Sequence, residues 1–133
     1  MAEVVNTSGK RKEAVARCVV SAGSGKVRIN NVPIDIFTPE LARLKIMEPM
    51  ALAGDKASKV DVSVNVAGGG FMGQAEASRT AIAKGLVDFL KDDELEKLFK
   101  EYDRSLLISD PRRKLPKKPL GRGARKKRQK SYR

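Results

Sequence analysis

The sequence predicts an α+β fold: one compact domain with a small sheet and packed helices over residues 1–110, followed by an extended basic tail over 111–133. Three patterns carry this expectation. Short runs alternate apolar and polar residues, the period of half-buried strands. Longer runs repeat apolar residues three and four apart, the period of helices. From Pro111 onward, Pro111, Pro116 and Pro119 with Gly121 and Gly123 rule out a continuous helix, and cations dominate. A chain of 133 residues suits one domain with a modest core. Hydrophobic residues make up 41% but aromatics only 5%, so that core must be built from Val, Ile, Leu and Ala.

The first strand is AVARCVVS at 14–21, with Ala16, Cys18 and Val20 on one side and Val15, Arg17 and Val19 on the other. Gly23-Ser24-Gly25 makes a turn into KVRI at 26–29, and the two strands are expected to pair as a β-hairpin. Thr38-Pro39-Glu40 supplies an N-cap, a proline at the first helical position and an acid in the first turn. The helix it opens should carry Leu41, Leu44 and Met47 as apolar residues and be ended or kinked by Pro49. VDVSVNV at 60–66 is the clearest strand, all its valines on one face. A second helix is expected from about Met72 to Leu90 with Ala75, Ile82, Leu86 and Phe89 inward. KDDELEKLFKEYD at 91–103 should form a third with Leu95, Leu98 and Phe99 inward, and LLIS at 106–109 an extended piece.

Charge separates the two parts. The tail holds Arg112, Arg113, Lys114, Lys117, Lys118, Arg122, Arg125, Lys126, Lys127, Arg128, Lys130 and Arg133 and no acid. The body keeps 16 of the 28 cationic residues against all 16 acids, so the net charge of +12 lies wholly in the tail. A free polycation of this kind repels itself into an extended state and calls for a polyanionic partner. Nucleic acid is the leading one, because neutralising phosphates releases counterions. A membrane surface is not expected, since no lipidation motif or amphipathic apolar face accompanies the charges.

Several chemistries are disfavoured. There is no His, which removes the commonest acid/base catalyst and transition-metal ligand. Cys18 is the only cysteine, so no disulfide within the chain or Cys-rich zinc site can form, and a buried strand thiol in a reducing compartment is expected. MAEVVNTSGKRK contains no apolar stretch of the signal-peptide kind, and a soluble, cytoplasmic protein follows as the expectation. GSGK at 23–26 lacks the flanking residues of a phosphate-binding P-loop, with Val20 and Val27 where Gly and Ser or Thr are needed.

VNVAGGGFMGQAEASRTAIA at 64–83 places Gly68, Gly70 and Gly73 in the G-x-G-x-x-G spacing of dinucleotide sites. The unit is incomplete: Asp88 falls inside the helical pattern, and another helix follows where a second parallel strand is required. Two readings remain for Gly68, Gly69 and Gly70, a strand-to-helix turn that uses positive φ, or that turn with an RNA phosphate docked on it. If positive φ is needed at Gly70, Gly70→Val should destabilise the turn by roughly 1 to 3 kcal/mol.

SGKRKEAVAR at 8–17, VNVAGGGFMGQAEASRTAIAKGL at 64–86 and the terminal GRGARKKRQKSYR together resemble the family of the ninth protein of the small ribosomal subunit. The likeness runs in order over nearly the whole chain, and Asp-Pro-Arg-Arg-Lys with the Lys-Ser-Tyr-Arg ending is similar to the archaeal and eukaryotic branch. The resemblance implies an α/β domain like the second domain of ribosomal protein S five, and a structural role without catalysis, cofactor, metal or small-molecule substrate. It implies binding of small-subunit head ribosomal RNA, contacts with neighbouring head proteins, and a tail that reaches the peptidyl-site transfer RNA. By position, Lys10, Arg11 and Lys12 match the basic N-terminal motif, Gly68, Gly69 and Gly70 the glycine turn, and Lys130 and Arg133 the transfer-RNA end; the other tail cations are assigned to ribosomal RNA. The competing classes are an enzyme, for which no carboxylate pair or nucleophile-base arrangement stands out, and a general nucleic-acid chaperone, which would bind DNA and unrelated RNA equally well.

Overall fold

The alternating valines of 60–66 become the centre of a five-stranded sheet. In the computed structural model, which describes residues 3–128 and 130–132, the chain runs β1 (Val4–Arg11), β2 (Ala14–Ala22), β3 (Val27–Ile29), β4 (Val32–Pro33), α1 (Glu40–Ala53), β5 (Val60–Ala67), α2 (Phe71–Leu90) and α3 (Asp93–Tyr102). Sheet order is β1-β2-β5-β3-β4. β1 and β2 pair antiparallel, as do β2 and β5, whereas β3 runs parallel to β5. The expected α+β architecture is present, with the helices packed on the sheet.

The expected β2–β3 hairpin is not formed. β5 lies between them, pairing with β2 from Val15↔Ala67 to Ala22↔Val60 and with β3 on its other edge. Its regular valines bury one face while both edges bond, a better partner for β2 than the short KVRI run. Gly23-Ser24-Gly25 still bends the chain, around Asp61: its Oδ1 accepts from the Ser24 N–H at 2.8 Å and the Lys26 N–H at 3.0 Å. The Lys26 and Ser24 amides hold that carboxyl below its ordinary range. The hairpins that do form are β1–β2, turning at Lys12 with φ 53°, and β3–β4, turning at Asn30 and Asn31 with φ 49° and 68°. Two successive positive φ values suit Asn in a primed hairpin turn. The Asn30 side chain also accepts from the Val66 N–H and donates to the Val66 carbonyl, prolonging the β3–β5 pairing beyond the strand.

α2 crosses β1 and β2 and is buried on most sides, including Ala77, Ser78, Thr80, Ala81, Ile82 and Ala83. Glycines permit this approach: a Cβ at Gly9 would run into the Ala77 carbonyl of α2, and one at Gly85 would lie 2.5 Å from Val20 Cγ2. α1 packs one side against α2. Ala42, Ile46, Pro49, Met50 and Ala53 are buried, while Leu41 and Leu44 are exposed. Ala42 and Ala53 are among the buried ones, small side chains that let α1 lie close to α2. Pro49 does not end the helix, which continues to Ala53, and Thr38 provides no cap because the cap position is Pro39. In α3, Asp92 caps by accepting from the Glu94 and Leu95 N–H groups, and Leu95 and Phe99 point inward as expected, but Leu98 is exposed. LLIS is not extended; Arg104–Leu106 is a 3-10 turn that seats Leu106 in the core.

Cys18 faces the core as the strand reading requires, and burial pushes its thiol up to about 12 despite a hydrogen bond with Thr7. Iodoacetamide at pH 8 should therefore leave the native protein unmodified and label one thiol only after denaturation. Mass spectrometry of the intact chain reads this directly, and labelling of the native protein would contradict the packing described.

Candidate nucleic-acid interface

Three of the segments singled out in the sequence come together at one corner of the molecule. The β1–β2 turn, the glycine turn before α2 and the root of the tail meet there. Arg11 is the joint. Its Nε donates to Glu76 Oε2 of α2 at 2.6 Å, its guanidinium lies 3.7 Å from Asp110, and its Nη1 donates to the Arg112 carbonyl at 3.1 Å. Arg11 and Asp110 also form a parallel backbone bridge. Asp110 in turn accepts from Arg112, and that charge-assisted contact, with the Arg112 N–H, holds its carboxyl at about 2. Arg113 donates to Glu13 at 2.6 Å and to the Lys12 carbonyl at 3.0 Å, which ties the tail to the hairpin turn. The side chains of Arg112 and Arg113 are exposed, so solvent weakens their pairs; Arg11, only 16% exposed, is the firmer attachment.

Three of the expected RNA-facing cations, Arg11, Arg112 and Arg113, thus hold carboxylates of the protein itself. The others are differently placed. Lys10, Lys12, Lys114, Lys117, Lys118, Arg122, Arg125, Lys126, Lys127, Arg128 and Lys130 are exposed, and among the described residues none pairs with a carboxylate. Arg133 lies outside the described residues. Beyond Asp110 no described residue is in a helix or strand. The tail doubles back near Gly121, whose N–H reaches the Lys118 carbonyl at 3.5 Å and where a Cβ would meet the Lys126 carbonyl. This brings Arg122, Lys126, Lys127 and Arg128 around one concavity.

The glycine turn is explained by its neighbour. Gly68 and Gly69 have φ 79° and 66°, and a Cβ at Gly68 would lie 2.5 Å from the Glu13 carbonyl oxygen. Gly70 has φ −93° and open space around it. The expectation of strain at Gly70 is therefore corrected: the positive φ and the close approach belong to the two glycines before it. Gly68→Ala should cost about 2 kcal/mol, whereas Gly70→Ala should stay within about 0.5 kcal/mol. Thermal melts of the two variants check this, and equal melting temperatures would remove the argument.

Sequence reasoning missed the group beneath this corner. Arg79 on α2 is 5% exposed, with Nε 2.5 Å from Glu48 Oε2 and Nη2 donating to Asp103 at 2.9 Å. Its Nη1 donates to Ser105 at 3.2 Å. Asp103 sits at about 2: burial opposes its charge, and the hydrogen bonds from Arg79 and Ser105 outweigh that burial. Lys10, Lys45, Glu76 and Arg112 complete the walls of the cleft. Apart from Lys10, the cations here pair with acids, which makes the cleft a fastening of α1, α2 and the tail root. Among the described residues no group of three or more His, Cys, Asp or Glu could hold a metal ion. After α2 no described segment returns to the sheet as a strand, so the dinucleotide unit is not built.

A family model described as ribosomal protein S9/S16 matches residues 9–133. The chain belongs to the ribosomal protein S9/S16 family. Among archaeal relatives, it is 60% identical over 131 residues to the small ribosomal subunit protein uS9 of Thermoplasma volcanium, covering 98% of this chain and 99% of that one. It is 50% identical over 133 residues to the uS9 protein of Picrophilus torridus, covering both chains completely. For the uS9 protein of Halobacterium salinarum the identity is 56% over 131 residues, covering 98% of this chain and 99% of the relative. The S9/S16 match takes in the hairpin turn, the glycine turn, Asp110 and the whole tail. No described helix is long and apolar enough to cross a membrane.

Proposed function

We propose that the chain is a structural constituent of the small ribosomal subunit, working without catalysis in the cytoplasmic ribosome. The body, residues 1–110, docks against ribosomal RNA of the subunit head and neighbouring head proteins. The tail, 111–133, runs between RNA elements and brings Lys130 and Arg133 to the peptidyl-site transfer RNA. The observation that carries this reading is the division of charge. A body whose cations and acids balance continues into a tail whose cations, beyond Arg113, have no carboxylate partner among the described residues. Arg offers bidentate phosphate contacts and Lys mobile point charges, and with one aromatic residue, Tyr132, the tail is suited to RNA shape and phosphate geometry rather than to reading stacked bases.

The fastening at Arg11 adds a direction to this role. With its root held on the hairpin turn and α2, the tail leaves the body from one place, which reduces the ordering that RNA binding must impose. The test is sedimentation of tagged protein in sucrose gradients with low- and high-salt washes, followed by filter binding of transfer RNA to the recovered subunits. The full chain should stay in the small-subunit peak after high salt. A chain lacking residues 130–133 should stay there too, while its subunits lose peptidyl-site transfer RNA faster. Release at high salt, or co-migration with DNA, would favour a general chaperone; unchanged transfer-RNA retention would remove the role of the tail end.

A further inference from the structure

The helices cover one face of the sheet and leave the other open. On that open face the strand register sets side chains in rows. Ser8 of β1, Arg17 of β2 and Asn65 of β5 stand side by side, and the next row runs through Val19 and Ser63 to Arg28 of β3. All of these side chains are exposed, as is Lys10 at the β1 edge. No carboxylate among the described residues pairs with Lys10, Arg17 or Arg28. The acid on this face, Asp61, already accepts from the Ser24 and Lys26 amides. Shallow grooves run beside Arg17 and Asn65 and beside Arg28 and Ser63.

Charge and chemistry select the occupant. Unpaired guanidinium groups on a flat surface favour a polyanion, and strand spacing sets Arg17 and Arg28 on the order of 12 Å apart. The rows contain no aromatic side chain, so there is no platform on which unpaired bases could stack. Short hydroxyl and amide groups between separated cations suit the wide, shallow minor groove of A-form RNA, where 2′-hydroxyls and phosphates are presented together.

We propose that the open sheet face seats the minor-groove side of a ribosomal RNA duplex, with Arg17 and Arg28 on phosphates and Ser8, Ser63 and Asn65 on 2′-hydroxyls. This rests on the ribosomal-RNA reading above and adds a second contact surface, separate from the tail.

The probe is a transcript of the small-subunit head RNA bound to the full chain. Cys18 is buried, so an iron chelate can be tethered selectively at Asn6→Cys, an exposed position at the β1 end of the second row that the seat does not use, and radical cleavage then maps the RNA lying over the sheet. Cuts should fall on paired strands on both sides of one minor groove. The double variant Arg17→Ala/Arg28→Ala should keep the parent's melting curve, and its plot of log affinity against log salt should be shallower by about 2. If the parent binds the transcript but paired strands are not cut, or the double variant keeps the parent's slope, the duplex seat is overturned and the tail reading stands. If the parent does not bind the transcript, the ribosomal-RNA reading falls with it.

Discussion

Arg79→Met should lower the stability of the protein by about 3 kcal/mol, with little change in the fold that remains. Removing one partner of a buried ion pair leaves the other charge without compensation, which typically costs 3 to 5 kcal/mol. The lower end applies here because the side chains of Glu48 and Asp103 are 24% and 38% exposed, so water supports part of their charge. Methionine fills much of the vacated volume, so the loss reports charge and hydrogen bonding rather than a cavity. Adding Asp103→Asn to Arg79→Met should recover part of the loss, since Asp103 is the carboxylate left without a cation, whereas Glu48 keeps Lys45 at 3.2 Å. Urea denaturation of the three proteins gives the comparison, and a single variant as stable as the parent would show the network to be dispensable.

The same network sets an acid limb. Asp103 is held at about 2 in the folded protein, below its ordinary value near 4. A carboxylate depressed by folding contributes stability that is complete above its unfolded value and is lost as pH falls through the folded one. The parent should therefore lose stability between about pH 4 and pH 2, and Arg79→Met should show a flatter limb over that window.

Arg79 also shows where sequence reasoning stops. Within ASRTAIA it looks like a surface charge on an Ala-rich helix, and its partners come from α1 and from the turn after α3, which no local period connects. β2, β5 and α2 were legible because their burial follows their alternation or helical spacing closely. β1 was not, because its inward positions include Thr7 and Gly9, which carry no apolar signal, and Gly9 is buried by contact with α2. The pairing of β2 failed for a related reason: alternation identifies a strand but not its neighbour, and β5 arrives from far along the chain. The inward face of α1 was not legible, because the exposed Leu41 and Leu44 are as apolar as the buried Ile46 and Met50. At the interface, the basic residues were legible from charge alone. Their division into Arg11, Arg112 and Arg113, which fasten the tail, and the remaining described cations, which carry no such partner, depended on where Glu13, Glu76 and Asp110 came to lie.

Removing residues 111–133 should abolish most of the salt-sensitive affinity for head RNA while leaving a folded body. The truncation takes away 12 cations and no acid, and it leaves the body with balanced charge. If about eight of those cations neutralise phosphates, the slope of log affinity against log salt should fall by about 7, and affinity near 0.1 M salt by roughly 10³-fold or more. The residual slope, about 2, belongs to the open sheet face and is the part that Arg17→Ala/Arg28→Ala should remove. Arg11 loses the Arg112 carbonyl but keeps Glu76 at 2.6 Å and Asp110 at 3.7 Å, so the hairpin turn should keep its place. Binding isotherms of the full and truncated chains at several salt concentrations separate the two contributions. A truncated chain with the parent's slope would mean that the body, not the tail, supplies the electrostatic hold on RNA.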